Sequence, residues 1–167
     1  IIDRLKSIFK LAQGEFEEPE YLENVYLASQ FIDQIFIYGN SMKSYVVAVI
    51  VPQRKVLFQW AKELDIKYEQ HGDMEDEQLT WIGTCSETQK LYLSEFHRLA
   101  SDAQLQPYEI PRGFVLDPVA FTNENGRLTS SNKLARVQCE VYYKKRLEEL
   151  YSSLQDEETR KISQDLN

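Results

Sequence analysis

Apolar positions along the chain change period several times, and each change marks an element. After Pro19, which suits a first helical position, Leu22, Val25 and Tyr26 fall on one face and predict a short amphipathic helix. Ile35-Phe36-Ile37-Tyr38 and the run from Tyr45 to Val51 are β-branched and aromatic, and the turn residues Gly39-Asn40-Ser41 separate them. They predict a hairpin whose second strand is buried on both faces, because its apolar residues are consecutive rather than alternating. Pro52 closes that strand. Val56, Leu57, Trp60, Ala61 and Leu64 then recur at helical spacing and predict a helix packed on the sheet.

From Asp65 to Thr84 the pattern turns acidic and loses its period, with His71-Gly72-Asp73 and Glu75-Asp76-Glu77 in the middle. A solvated loop or insertion, about 65–85, is expected there. Ser86 and Gln89 have the spacing of a capping box, and Leu91, Tyr92, Phe96, Leu99 and Ala103 trace the stripe of a second long helix. Tyr108 to Pro111 interrupts it, Gly113 to Leu116 reads as a further strand, and Asn123-Glu124-Asn125-Gly126 is a strong turn. Leu134, Val137, Val141, Leu147 and Leu150 predict a closing helix, after which residues 152–167 form a polar tail expected to fray from Gln155 onward. Strands and helices intermix without regular βαβ spacing. The expected class is α+β, a small sheet with a hairpin flanked by helices.

Composition narrows the function classes. The chain has 167 residues, enough for one ordinary domain with a real core. The opening Ile1-Ile2-Asp3-Arg4 has the character of neither a signal nor a transit peptide, and reads as an artificial boundary. No stretch approaches the roughly 20 apolar residues of a membrane span, so a soluble piece is expected. A net charge of -8 argues against a nucleic-acid partner, since affinity for phosphate backbones rests on clustered Lys and Arg. Cys85 and Cys139 lack C-x-x-C spacing and are expected as free thiols in a reducing, intracellular setting. His71 and His97 are isolated, and no metal site is predicted within the chain.

Two stretches concentrate polar residues and glycine: Asp3 to Glu15, and Gly126-Arg127-Leu128-Thr129-Ser130-Ser131-Asn132-Lys133. By spacing alone each is an ordinary solvated turn. As whole strings they say more. Ile1-Ile2-Asp3-Arg4-Leu5-Lys6-Ser7-Ile8-Phe9-Lys10-Leu11-Ala12-Gln13-Gly14-Glu15-Phe16 resembles the signature that opens the mobile C-terminal domain of long-chain fatty acyl-CoA synthetases. Asn125 to Leu134 resembles the second signature of that family, an Asn-Gly turn, Leu-Thr, three variable residues and then Lys. Tyr45 to Pro52 and Tyr108 to Pro111 also look like family segments, so the resemblance spans about residues 1–151, the extent of the expected lid domain.

The resemblance implies an adenylate-forming enzyme that joins a fatty acid to ATP and then passes the acyl group to CoA. A large N-terminal domain would bind ATP and acid, and this domain would rotate between the two half-reactions. Lys133 would be the adenylation lysine, Arg4 a nucleotide contact, Lys6 the hinge, and Gln13, Gly14 and Glu15 the CoA channel. Asn132 departs from the Gly that many members place before the lysine, which points to the long-chain branch. Nothing in the chain resembles the Ser/Thr/Gly-rich phosphate loop or the acidic residue that holds magnesium. Both are expected in the N-terminal domain, and this part alone is expected to be inactive.

Two other readings stay open. The chain could be another adenylate-forming ligase, or a non-catalytic interaction module using the acidic stretch around Glu75-Asp76-Glu77. Tyr142-Tyr143-Lys144-Lys145-Arg146 could also form a peripheral membrane contact, although Glu148-Glu149 beside it suits an ordinary charged helix face. The expected location is cytoplasmic or on the cytoplasmic face of a membrane.

Overall fold

The apolar run after Tyr45 becomes the axis of the fold. In the computed structural model, which describes residues 8–166, strand β4 (Val47–Pro52) is buried along its whole length. It lies centrally in a three-stranded sheet, antiparallel to β3 (Ile32–Tyr38) and parallel to β5 (Phe114–Leu116). Side chains of a strand alternate between faces. Ala48 and Ile50, with Val46 just before the strand, therefore enter one core, whereas Val47, Val49 and Val51 enter a second.

Helices α1 (Pro19–Tyr26), α2 (Arg54–Glu63), α3 (Glu75–Thr84) and α4 (Ser86–Asp102) supply the first core, through residues such as Leu22, Tyr26, Leu57, Ile82, Tyr92 and Phe96. The second core is closed by Phe121 and by one long helix, α5 (Arg136–Asp165). Burying each large apolar side chain is worth about 1.5–3 kcal/mol, so a strand with two covered faces is the strongest anchor in the molecule. Phenolic hydroxyls taken into these cores find acceptors: Tyr26 donates to the Glu109 carbonyl at 2.8 Å, Tyr92 to Phe31 at 3.0 Å and Tyr151 to Tyr45 at 2.9 Å. A separate two-stranded hairpin, β1 (Phe9–Lys10) with β2 (Phe16–Glu17), precedes α1.

The mixed class, the hairpin β3–β4 and the helices after Pro19, Pro52 and Ser86 agree with the sequence pattern. Four expectations do not hold. Residues 65–84 are not a loop: a 3-10 turn at Tyr68–Gln70 leads into α3, where Leu79 and Ile82 are wholly buried. The acidic run that suggested solvent is the first turn of α3, where negative charge suits the helix dipole. Arg54 holds that turn down, pairing with Glu75 at 3.2 Å and Asp76 at 2.5 Å.

Ser86 forms no capping box, because Cys85 serves as the end of α3 and the cap of α4 at once. Gln89 instead donates to the Gly83 carbonyl at 2.8 Å. Val137 and Val141 are not on the inner face of α5. They are 69% and 73% exposed, and the buried stripe is Cys139, Tyr143, Leu147 and Tyr151, spaced by four. Nor does the chain fray after Gln155: α5 runs unbroken to Asp165, with Arg112 paired to Glu158 at 2.6 Å. The sheet also holds one parallel pair, about which the sequence pattern was silent, because α2 to α4 form a long crossover between β4 and β5.

Candidate functional site

The described end of the first polar stretch and the whole of the second form turns built by local hydrogen bonding. Arg4 and Lys6 lie outside the described residues. In the first loop, the Leu11 amide donates to Glu15 at 2.8 Å and the Gly14 amide to Leu11 at 2.9 Å, closing a tight turn between β1 and β2. Gly14 has a φ of 93°, a left-handed conformation that side chains other than hydrogen disfavour. A Cβ there would meet only the Lys10 side chain, at 3.8 Å. Conformation, not crowding, is what demands glycine at this position.

The hairpin is fastened to the body from one side. The Ala12 amide donates to Lys43 at 2.9 Å, the Gln13 side chain to Ser44 at 3.1 Å, and Phe9 and Leu11 crowd the space where Gly39 has no Cβ. Glu15 accepts a hydrogen bond from the Tyr108 hydroxyl at 3.4 Å. Glu17 is buried beneath, 3% exposed. Burial, and then the nearby carboxylates of Glu109 and Glu15, push its pKa up to about 7.

The second loop hangs from a buried ionic anchor. Asn125 accepts from the amides of Thr122 at 3.0 Å and Arg127 at 3.2 Å, which sets the turn predicted at Asn123 to Gly126. The Arg127 side chain then points inward, bonding Asp117 and the Tyr143 hydroxyl at 3.1 Å each, while Tyr143 donates to Asp117 at 2.5 Å. Its guanidinium also lies 3.8 Å from the centre of the Tyr142 ring.

Beyond the anchor the chain doubles back. Leu128 pairs with Leu134, and the Thr129 amide donates to Lys133 at 2.7 Å. The Lys133 amide bonds the Thr129 hydroxyl at 3.3 Å, and Asn132 occupies a left-handed φ of 61°. Lys133 is thereby held at an exposed tip with a defined backbone. On the far side Arg136 pairs with the buried Glu23 of α1, one of the two contacts measuring 3.2 Å.

Among the described residues, no hydrogen bond, ion pair or ring contact joins the Gly14 loop to the Lys133 loop. A cleft of about 500 Å³, lined by Tyr38, Lys43, Glu140, Lys144 and Tyr151 among others, includes neither Lys133 nor Gln13, Gly14 and Glu15. The sequence reading missed the Asp117–Arg127–Tyr143 anchor, and no spacing rule links residues so far apart. The role of Asn132 could have been read, since Asn and Gly share tolerance of the left-handed region. Among the described residues, no three His, Cys, Asp or Glu side chains are grouped to hold a metal ion.

This arrangement, a two-faced sheet with a glycine hairpin and a lysine loop, is the C-terminal domain fold of the adenylate-forming superfamily. It superimposes on the adenylation domain of a carboxylic acid reductase from Segniliparus rugosus, solved with AMP and a co-purified carboxylic acid. The TM-score is 0.73 and the identity 32%, over 90% of this chain and 20% of that one. Within that superfamily the chain is homologous to the C-terminal region of long-chain acyl-CoA synthetases. It is 41% identical over 151 residues to long chain acyl-CoA synthetase 3 of Arabidopsis thaliana, and 34% identical over 154 residues to human long-chain-fatty-acid-CoA ligase 1. The chain spans about one fifth of the length of these relatives, with 21% of each covered. No family model matches it. No helix among the described residues is long and apolar enough to cross a membrane.

Proposed function

We propose that this chain is the moving C-terminal domain of an ATP-dependent long-chain fatty acid-CoA ligase. Its partner is the N-terminal domain of the same protein, and the substrates are fatty acid, ATP and CoA. The observation that carries the reading is the state of Lys133: an exposed cation at the tip of a loop fixed by Thr129, Asn132 and the buried Arg127 anchor. A charge so mounted can be delivered to an anionic site without being reorganised there.

In the first half-reaction a carboxylate oxygen of the fatty acid attacks the α-phosphorus of ATP and pyrophosphate leaves. Lys133, placed between the two anions, offsets their repulsion and the charge that grows on the phosphoryl oxygens. Arg4 would add a guanidinium fork toward the nucleotide, and Lys6 would lie at the hinge. Magnesium bound by the rest of the enzyme would neutralise phosphate charge. In the second half-reaction the CoA sulfur attacks the acyl carbonyl and AMP leaves. Gln13, Gly14 and Glu15 form the wall along which the thiol arm passes, with the tight turn at Gly14 keeping bulk out of that path.

The test separates the half-reactions in the full-length protein. Lys133→Ala is expected to lower ATP–pyrophosphate exchange about 10²–10³-fold, while thioester formation from supplied palmitoyl-adenylate persists. Gly14→Leu is expected to do the reverse. Equal damage to both steps by either variant refutes an alternating domain. The likeness to a carboxylate reductase's adenylation domain favours a second reading, in which the acyl group passes to an acceptor other than CoA. An enzyme that exchanges pyrophosphate but never yields acyl-CoA would support it.

A further inference from the structure

Helix α5 begins against local preference. It has no side-chain cap and no acid in its first turn, and its first residue, Arg136, puts a cation at the end where the helix dipole disfavours one. Breaks with local preference concentrate at functional or strained sites. Arg136 reaches across to Glu23 of α1 and meets both carboxylate oxygens, Nη1 to Oε2 at 3.2 Å and Nη2 to Oε1. Glu23 is 5% exposed, and its Oε2 also accepts the Ile37 amide of the edge strand β3 at 2.9 Å. Burial pushes the pKa of this carboxyl up, and Arg136 and the Ile37 amide only partly pull it back. A buried pair of this kind stabilises a fold little more than apolar side chains filling the same space. What it adds is direction, because a two-pronged contact fixes where a guanidinium lies as well as how near.

We propose that Glu23 is a positioning residue for Lys133, acting through Arg136 to fix the stem from which the lysine loop rises. The inference rests on the reading of Lys133 as the adenylation lysine. The loop has two stems. One ends at Arg127, held by Asp117 and Tyr143; the other ends at Arg136, held by Glu23, and the Ala135 amide joins them by donating to the Arg127 carbonyl at 2.9 Å. Lys133 is nearer in sequence to the second stem. Its side chain is exposed, so it takes its bearing from the backbone, and the backbone takes its own from these two anchors. The base beyond Glu23 is firm, since Leu22 and Tyr26 of the same helix are wholly buried in the first core. A cation that must meet a carboxylate and a phosphate together loses up to about 10²-fold in rate when displaced by about 1 Å. The thioester step, which this lysine does not serve, is indifferent to the same displacement.

The experiment uses the full-length enzyme with Glu23→Gln alone and with Glu23→Gln combined with Arg136→Met. Gln keeps the bulk of Glu23 and an acceptor for the Ile37 amide, and removes the charge. Glu23→Gln should lower kcat for ATP–pyrophosphate exchange about 10–100-fold, leave KM for ATP nearly unchanged, and leave thioester formation from supplied palmitoyl-adenylate intact. Retained thioester formation also shows that the variant folds. The double variant leaves no unpaired charge, so its urea midpoint should return close to that of the parent while exchange stays low. Exchange that recovers together with stability in the double variant, or equal losses in both half-reactions, would overturn the proposal and make the pair a contact of the fold alone. Full exchange in Glu23→Gln would overturn it as well. The underlying reading fails separately, through exchange that survives Lys133→Ala; loss of exchange in that variant with full exchange in Glu23→Gln refutes the positioning role and leaves the reading of Lys133 standing.

Discussion

Asn132 occupies a left-handed backbone conformation, φ 61°, immediately before the exposed Lys133. Glycine adopts this region freely and Asn tolerates it, whereas a β-branched residue is strained by about 1–2 kcal/mol. The departure from Gly seen in the sequence is thus a substitution between two residues that satisfy one backbone requirement. Asn132→Gly is expected to keep pyrophosphate exchange in the full-length enzyme near the parent level. Asn132→Val should lower stability by about 1–2 kcal/mol in urea titration and depress exchange by displacing the lysine. A Val variant as stable and active as the Gly variant would show that the loop does not depend on this conformation. Beneath the loop, Arg127 and Asp117 are both nearly inaccessible, and removing one partner of such a pair is costlier than replacing both.

At the scale of elements, the hairpin β1–β2 is held over a buried acid. Glu17 has a folded pKa of about 7 against an ordinary 4.5, raised chiefly by burial and then by Glu109 and Glu15. The folded state therefore keeps a proton that the unfolded chain has already released. Stability contributed at this position is greatest below about pH 4.5, declines as pH rises to about 7, and is level above. Glu17→Gln should flatten that segment of the stability–pH curve, and in the parent the hydrogen-exchange protection of the Leu11 amide should fall over the same window after correction for intrinsic exchange. Identical pH slopes in parent and Gln variant would contradict the assignment. Elements also show where reading a pattern succeeds. The Ile35–Tyr38 part of β3 and the wholly buried β4 announced themselves, whereas the start of β3 at Ile32 and α3, with an acidic first turn and a short buried face, did not.

For the whole molecule, the two cores and the continuous α5 describe a unit complete enough to fold, yet it spans about one fifth of the relatives it matches. The isolated 167-residue chain is expected to unfold in a single cooperative transition and to make no palmitoyl-CoA from ATP, CoA and palmitate. Turnover above a no-protein control would refute its dependence on another domain. The amino-acid sequence by itself determined the double-faced strand, because consecutive apolar residues from Val46 to Val51 can be satisfied only by cover on both sides. It also determined the Asn123–Gly126 turn and the two signature strings, which are local in the chain. Tertiary structure alone decided which stripe of α5 faces inward, since Tyr143 and Tyr151 bury only where Asp117 and Tyr45 wait to accept their hydroxyls. It likewise decided that Arg127 is an anchor rather than a surface charge, and that Glu17 turns in while Phe16 turns out. Each of those outcomes depends on partners distant in the chain, and no period within a short segment records where such a partner will lie.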